Sequence, residues 1–213
     1  MEHGTYHHGN LRRVMLDAAL QAIGESGPTG WSLRELARRA GVSHTAPAHH
    51  FGDKTGLLTA VAAEGFDLFA TALEAAGGDF FEVGVAYVRF AVRHRSYFQV
   101  MFRPELYRPA DPAVAPARAR AGAVLAGGGR TLSPDPARDR VATVAAWSTA
   151  HGFAELWLSG ALADAAETDP ETYARDILAL TFGHLRRGGG SESLDRSVGV
   201  GDTPEHFDDG NIP

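Results

Sequence analysis

The segment "SLRELARRAGVSHTAPAHHFGDK", residues 32–54, decides how the rest of the chain is read. Ser32 followed three residues later by Glu35 is the capping-box arrangement that opens a helix. Leu33 and Leu36 would face a core, and Ala37 is small enough to let a second helix lie close. Gly41 can take the positive φ of a tight turn, and Val42 can anchor the second helix. Ser43 is then expected to cap a short third helix. The pattern is that of a helix-turn-helix, in which the N-terminal residues of the second helix meet base edges in the major groove. Two features disturb it. Pro47 falls about four residues into that helix, where it would remove a backbone hydrogen bond. Three histidines, His44, His49 and His50, crowd around it.

Those histidines do not form a metal box. Ligands on one helical face lie three or four residues apart. His44 is five residues from His49 and six from His50, and His49 and His50 are adjacent. We therefore expect no metal there, and we read His50–Phe51 as a structural pair packed on the first helix. Arg38 and Arg39 are positioned for phosphates.

Outward from this segment nearly every stretch reads helical. "NLRRVMLDAALQAIGESG" carries Asn10 as an N-cap and places Leu11, Met15, Ala18, Ala22 and Ile23 on one stripe. Asp53 can cap a fourth helix, about 53–76, in which Leu58, Ala62, Phe66, Phe69 and Leu73 keep helical spacing. Residues 80–92 are apolar around most of the circumference, as in a helix buried within a bundle. "SYFQVMF" is a short aromatic segment, "RPELYRPADPAVAP" a proline-rich connection and "ARARAGAVLA" a modest helix. Asp135–Pro136 and Asp169–Pro170 each start a helix with a cap and a first-turn proline, the former running through Leu162. No strand pattern or internal repeat stands out, so the fold class is all-α.

The chain has 213 residues and no cysteine, which excludes disulfides and thiolate chemistry. No apolar run approaches the ~20 residues of a membrane span, and the start has no signal-peptide character, so we expect a cytoplasmic protein without a membrane partner. The net charge of −6 hides an asymmetry. Residues 1–55 carry six basic and five acidic side chains, a balance of +1, and residues 188–213 carry six acids and one arginine, or −5. A slightly basic N-terminal unit thus precedes an acidic body and tail, which permits nucleic-acid binding by the first quarter. From residue 188 onward glycine, serine and acid dominate, and we expect disorder.

Residues 6–76 resemble the N-terminal domain of TetR-family (tetracycline-repressor-like) transcriptional regulators. The likeness rests on "YHHGNLR" (6–12), "GWSLRELARRAGVS" (30–43) and "HHFGDKTGLL" (49–58), in that order and spacing. "AWSTAHGFAELWLSGAL" (146–162), with Trp147, His151 and Gly152, resembles the C-terminal domain of the family branch marked by a W-HG signature. The resemblance implies a homodimer that binds a double-stranded DNA operator through residues 1–55. Residues 56–187 would form the ligand-binding and dimerisation domain. A small-molecule effector in that bundle would shift the linker helix and alter the spacing of two recognition helices.

On this reading the DNA-contacting residues are Ser32, Ser43, His44, Thr45, His49 and Lys54, the last being the chain's single lysine. In most relatives a tyrosine that contacts a phosphate stands where this chain has Ala48. That departure leaves a second possibility, a ligand-binding dimer with weakened or lost DNA binding. The aromatic group Phe66, Phe69, Tyr87, Phe90, Phe98, Met101, Phe102, Trp147 and His151 is first of all core. A subset should line an effector cavity suited to an apolar or aromatic ligand. Trp147, His151 and Glu155 share one helix face, so we expect His151 to bond to Glu155 or backbone. An all-α enzyme using His151 and Glu155 is the remote alternative, since no G-x-S-x-G elbow accompanies Ser148. No phosphate-loop or cofactor motif is present, and no cofactor is expected.

Overall fold

A computed structural model describes residues 8–132, 136–162 and 168–187. The described residues are helical throughout, without strands: α1 (His8–Ser26), α2 (Leu33–Arg39), α3 (Ala46–Phe51), α4 (Lys54–Glu74), α5 (Phe80–Arg93), α6 (Arg95–Met101), α7 (Ala115–Arg130), α8 (Asp139–Leu158) and α9 (Pro170–Arg187). Short 3₁₀ turns occupy Pro104–Leu106 and Pro136–Arg138.

Local chemistry places most of these boundaries. Ser32 Oγ accepts the Glu35 amide at 3.2 Å, Asp53 Oδ1 the Gly56 amide at 2.6 Å, and Asp79 Oδ1 the Phe81 and Glu82 amides. Asp169 Oδ2 accepts from the Thr172 amide at 2.9 Å, as its Asp-Pro signature predicted. The turn after α2 closes as a Schellman motif. The Val42 amide reaches Ala37 O at 3.0 Å and the Gly41 amide reaches Arg38 O, with Gly41 at φ 67°.

Several sequence expectations are corrected. The first helix begins at His8, so Asn10 lies within it rather than ahead of it. Ser43 does not start α3. Its hydroxyl pairs with Thr45 Oγ1 at 2.9 Å, and the helix begins at Ala46 with Thr45 as N-cap. Pro47 therefore occupies the first turn, where its missing N–H has no intrahelical partner to lose, and its ring is buried. α8 ends at Leu158 rather than Leu162, because Gly160 at φ 76° turns the chain and the Ala161 amide returns to Leu156 O. The segment "ARARAGAVLA", residues 117–126, belongs to a full 16-residue helix that begins at Ala115. Asp135 and the acidic stretch 188–213 lie outside the described residues.

α4 packs against α1 and α3 and, more extensively, against α5, α6 and α7. By length and composition it could cross a membrane, which the run-length reading overlooked. Of its most apolar window, 56% is buried by the other helices. The largest core cluster runs without a break from Met15 and Leu16 on α1, through Leu36 on α2 and Leu57 to Leu73 on α4, to Phe98 on α6 and Ala154 on α8. α8 and α9 close the far side over α5, where Gly84 lets Leu178 approach. A methyl group at Gly84 would stand 2.5 Å from Leu178 Cδ1.

Candidate functional site

The helical hairpin α2–α3 presents a short exposed surface. Ser43, His44 and Thr45 stand on the turn, Ala48 and His49 on α3, and all five are exposed. Ser32 is also exposed, but its hydroxyl is engaged in capping α2. His50, expected to pack inward, is exposed instead. Its ring tilts over Phe51 at 6.3 Å, while Phe51 itself packs against the core. Pro47 and Phe51, four residues apart, hold the inward face of α3, and Ala48, His49 and His50 between them face solvent. Among the described residues no group of three or more His, Asp or Glu side chains converges.

The cations near this surface are not equally available. Arg39 donates to Glu35 Oε1 at 3.0 and 2.9 Å and to Glu25 Oε2, so it is committed to carboxylates rather than free for phosphate. Arg38 lies 3.8 Å from Glu35 with its side chain 70% exposed, and it remains able to swing outward. Lys54 Nζ donates to Thr29 O at 3.0 Å and Trp31 O at 2.8 Å, and it sits 4.0 Å from the centre of the Trp31 ring. Burial lowers its pKa below the usual lysine value. The ammonium thus locks the α1–α2 connection onto the start of α4, and one of its three donors is left for an external acceptor.

The second feature is a cavity of about 490 Å³ between α4, α6, α7 and α8. Phe66, Phe69, Met101, Phe102 and Trp147, all singled out by sequence, form part of its wall. Pro104 and Tyr107 come from the connection after α6, and Arg118, Ala121, Gly122 and Leu125 from α7, with Thr143 from α8. Sequence reasoning missed these seven. The alanine and glycine of α7 carry no chemistry of their own, and they matter only because their smallness leaves room.

The remaining expected residues lie behind the wall. Phe90 and Phe98 are fully buried, Phe90 meeting Phe69 at 5.0 Å and Phe98 meeting Phe102 at 4.9 Å between ring centres. Tyr87 is buried and makes an edge-on contact with Phe69 at 5.1 Å. Its hydroxyl is the hub of a small polar network. Trp147 Nε1 donates to it at 3.0 Å, and it lies 2.8 Å from His151 Nδ1. An indole N–H can only donate, so the Tyr87 oxygen accepts from Trp147, and its hydroxyl shares a second hydrogen bond with Nδ1 whose direction follows the His151 tautomer. The other ring nitrogen, Nε2, faces Glu155 Oε1 at 4.0 Å. The first partner of His151 is therefore Tyr87, not Glu155 as expected. Burial lowers the His151 pKa, and Glu155 pulls it partly back. Burial also drives the Tyr87 phenol far above its ordinary value.

The cavity wall and the start of α4 are connected. Next to Tyr107 in the cavity wall, Arg108 donates to both Asp53 oxygens, and its amide donates to Thr59 Oγ1 at 3.0 Å. A second tie joins α1 to α4 and α6: Arg13 and Tyr97 both donate to Glu64 Oε1, at 2.6 and 2.5 Å. Burial, with Glu64 close by, raises the Tyr97 phenol to about 12.

Comparison with known proteins agrees with this arrangement. The model of bacterial regulatory proteins of the tetR family matches residues 15–61, and that of the tetracyclin repressor-like C-terminal domain matches residues 80–180. The transcriptional regulator BetI of Escherichia coli is 49% identical over 49 residues, 23% of this chain and 25% of BetI. The match thus spans a quarter of that relative's length. A protein of unknown function from Rhodococcus sp. RHA1 is 33% identical, with a TM-score of 0.67 over 86% of this chain and 97% of that one. PfmR, a TetR-family regulator from Thermus thermophilus, shares the fold at 19% identity, with a TM-score of 0.61 over 84% of this chain and 97% of its own.

Proposed function

Because this chain belongs to the TetR family of bacterial regulatory proteins, we propose that it is a dimeric repressor released from its DNA operator by a small apolar or aromatic ligand. The observation that carries this reading is the bridge between cavity and reading head. The wall residue Tyr107 is followed directly by Arg108, which grips the Asp53 cap of α4. A ligand that fits the cavity better in one setting of this bridge shifts the population toward that setting, and DNA affinity falls by the same coupling free energy.

Residues 1–55 act as the head and 56–187 as the ligand-binding and dimerising body, with α4 as the link. The operator contacts fall to His44, Thr45 and His49 for bases and to Ser43 and Lys54 for phosphates, with Ser32 at the head of α2. Dimerisation uses α8 and α9, whose Val141, Val144, Leu156 and Leu180 are exposed, Leu180 by 87%. Pairing would cover them and set the two heads ~34–36 Å apart, one turn of DNA. The Trp147–Tyr87–His151 network is what the W-HG signature supplies, a polar brace behind the cavity. With Nδ1 held by Tyr87 and its ring against Phe102 at 4.8 Å, His151 serves as that brace rather than as a catalytic base.

The test is binding to the DNA upstream of the protein's own gene. Sequence-specific, salt-sensitive binding by a dimer supports the proposal. A specific observation favours one alternative, a dimer with weakened DNA binding: Ala48 is exposed at the position where most relatives carry tyrosine. An intact dimer that fails to bind this DNA at low salt would establish that alternative instead.

A further inference from the structure

The cavity wall carries one charge. Of its lining side chains only Arg118, on the first turns of α7, is permanently charged. The other polar groups on the wall are mostly engaged. Tyr107 donates its hydroxyl to Met101 O at 3.0 Å, and Trp147 donates to Tyr87. Of the arginines nearby, Arg108 pairs with Asp53 and Arg120 with Asp67 and Glu74, whereas the exposed Arg103, between the wall residues Phe102 and Pro104, has no ion pair among the described residues. Arg118 is the one of these that lines the cavity. Among the described residues no carboxylate stands within ion-pair distance of its guanidinium, although the chain as a whole carries an excess of acid.

We propose that the effector is an amphipathic organic anion, an apolar body bearing one carboxylate, which lies against Phe66, Phe69 and Phe102 with its charge on Arg118. This rests on the reading of the cavity as an effector site. A guanidinium presents a planar fork of donors that matches a carboxylate with two parallel hydrogen bonds. A neutral ligand would leave that fork at the mouth of an apolar chamber, and a cationic ligand would be repelled by it. Thr143 supplies a hydroxyl elsewhere on the same wall, for which no protein partner is present among the described residues.

The experiment uses the full-length protein and two matched series: 4-phenylbutanoate, its alcohol and its amine, and decanoate, 1-decanol and decylamine below their aggregation limits. Binding is read by intrinsic tryptophan fluorescence, since Trp147 is in the wall, and by thermal shift. In at least one series the acid should bind roughly tenfold more tightly than the alcohol, and the amine most weakly. Arg118→Gln should bring the acid down to the alcohol without changing the alcohol, while Arg118→Lys, which keeps the charge but not the fork, retains only part of the preference. An alcohol or amine that binds as tightly as the acid overturns the proposal and leaves the apolar-effector reading standing. So does an acid preference that survives in R118Q. If no member of either series binds the parent protein, the proposal falls together with the reading of the cavity beneath it.

Discussion

Arg108 donates to both carboxylate oxygens of Asp53, at 3.0 and 2.8 Å, across 55 residues of sequence. Asp53 simultaneously caps α4 through the Gly56 amide. The amide bond and Arg108 together hold this carboxyl below the usual aspartate range. The side chains are 49% and 59% exposed, so the pair adds little to stability. Its value is positional, because it fixes the cavity connection to the N-cap of α4.

Arg108→Ala should therefore melt within roughly 2 °C of the parent and still bind operator, but release it several-fold less readily when ligand is added. Fluorescence anisotropy of labelled operator, titrated with ligand, measures this. Release identical to the parent would show that the bridge transmits nothing.

Lys54→Met keeps an apolar stem over Trp31 and loses the bonds to the Thr29 and Trp31 carbonyls. Hydrogen bonds to a charged group are each worth about 1.5–3 kcal/mol, so the variant should melt several degrees lower. Its DNA affinity should fall alike for all sequences, as expected when a positioning contact is lost. Thermal melting, with binding measured on operator and on scrambled DNA, checks both. A change in base preference would refute the assignment.

Ala48→Tyr should raise affinity several-fold for operator and non-operator DNA together. Position 48 is exposed, so the ring needs no repacking of the core. No gain, with the fold intact, would mean that α3 does not approach the backbone at this residue.

Acid should destabilise the protein. Burial lowers His151, and burial together with Arg93 lowers His94, below the ordinary histidine value of 6.5. As pH falls through 6.5 the unfolded chain takes up protons before the folded one. The stability that these groups contribute above that pH is then lost on acidification. The melting temperature should drop between about pH 7.5 and 5.5. His151→Gln, whose side-chain amide can still bond to Tyr87, combined with His94→Asn should flatten that dependence. An unchanged pH slope in the double variant would place its origin elsewhere.

What was legible in the sequence is what acts over a few residues. Ser32, Asp53 and Asp169 cap helices through amides three positions on, and Gly41 with Val42 closes a turn whose bonds are equally local. Pro47 is the instructive failure: its presence marks a first turn, and the start of α3 is set by it rather than by Ser43. Long-range relations were not legible. Phe66 and Phe90 have identical side chains on neighbouring helices, yet one lines the cavity and the other is buried behind it. Nor does anything near Arg108 in sequence point to Asp53, or anything near His151 to Tyr87, since only the packing of α4, α5 and α8 brings them together.

The unbroken core that joins α1 and α2 to the body has a consequence for how the molecule comes apart. Met15, Leu16 and Leu36 share one buried cluster with Leu57, Phe98 and Ala154, and Ser96 Oγ donates to Leu20 O at 2.8 Å. There is no seam at residue 55 along which the head could separate as an autonomous folding unit. A fragment ending there would expose the apolar faces of α1 and α2 to water, and the intact chain should lose both parts in a single cooperative transition. Hydrogen exchange in α1 should accordingly be as slow as in α4, so the N-terminal helices borrow their permanence from the helices that enclose the cavity.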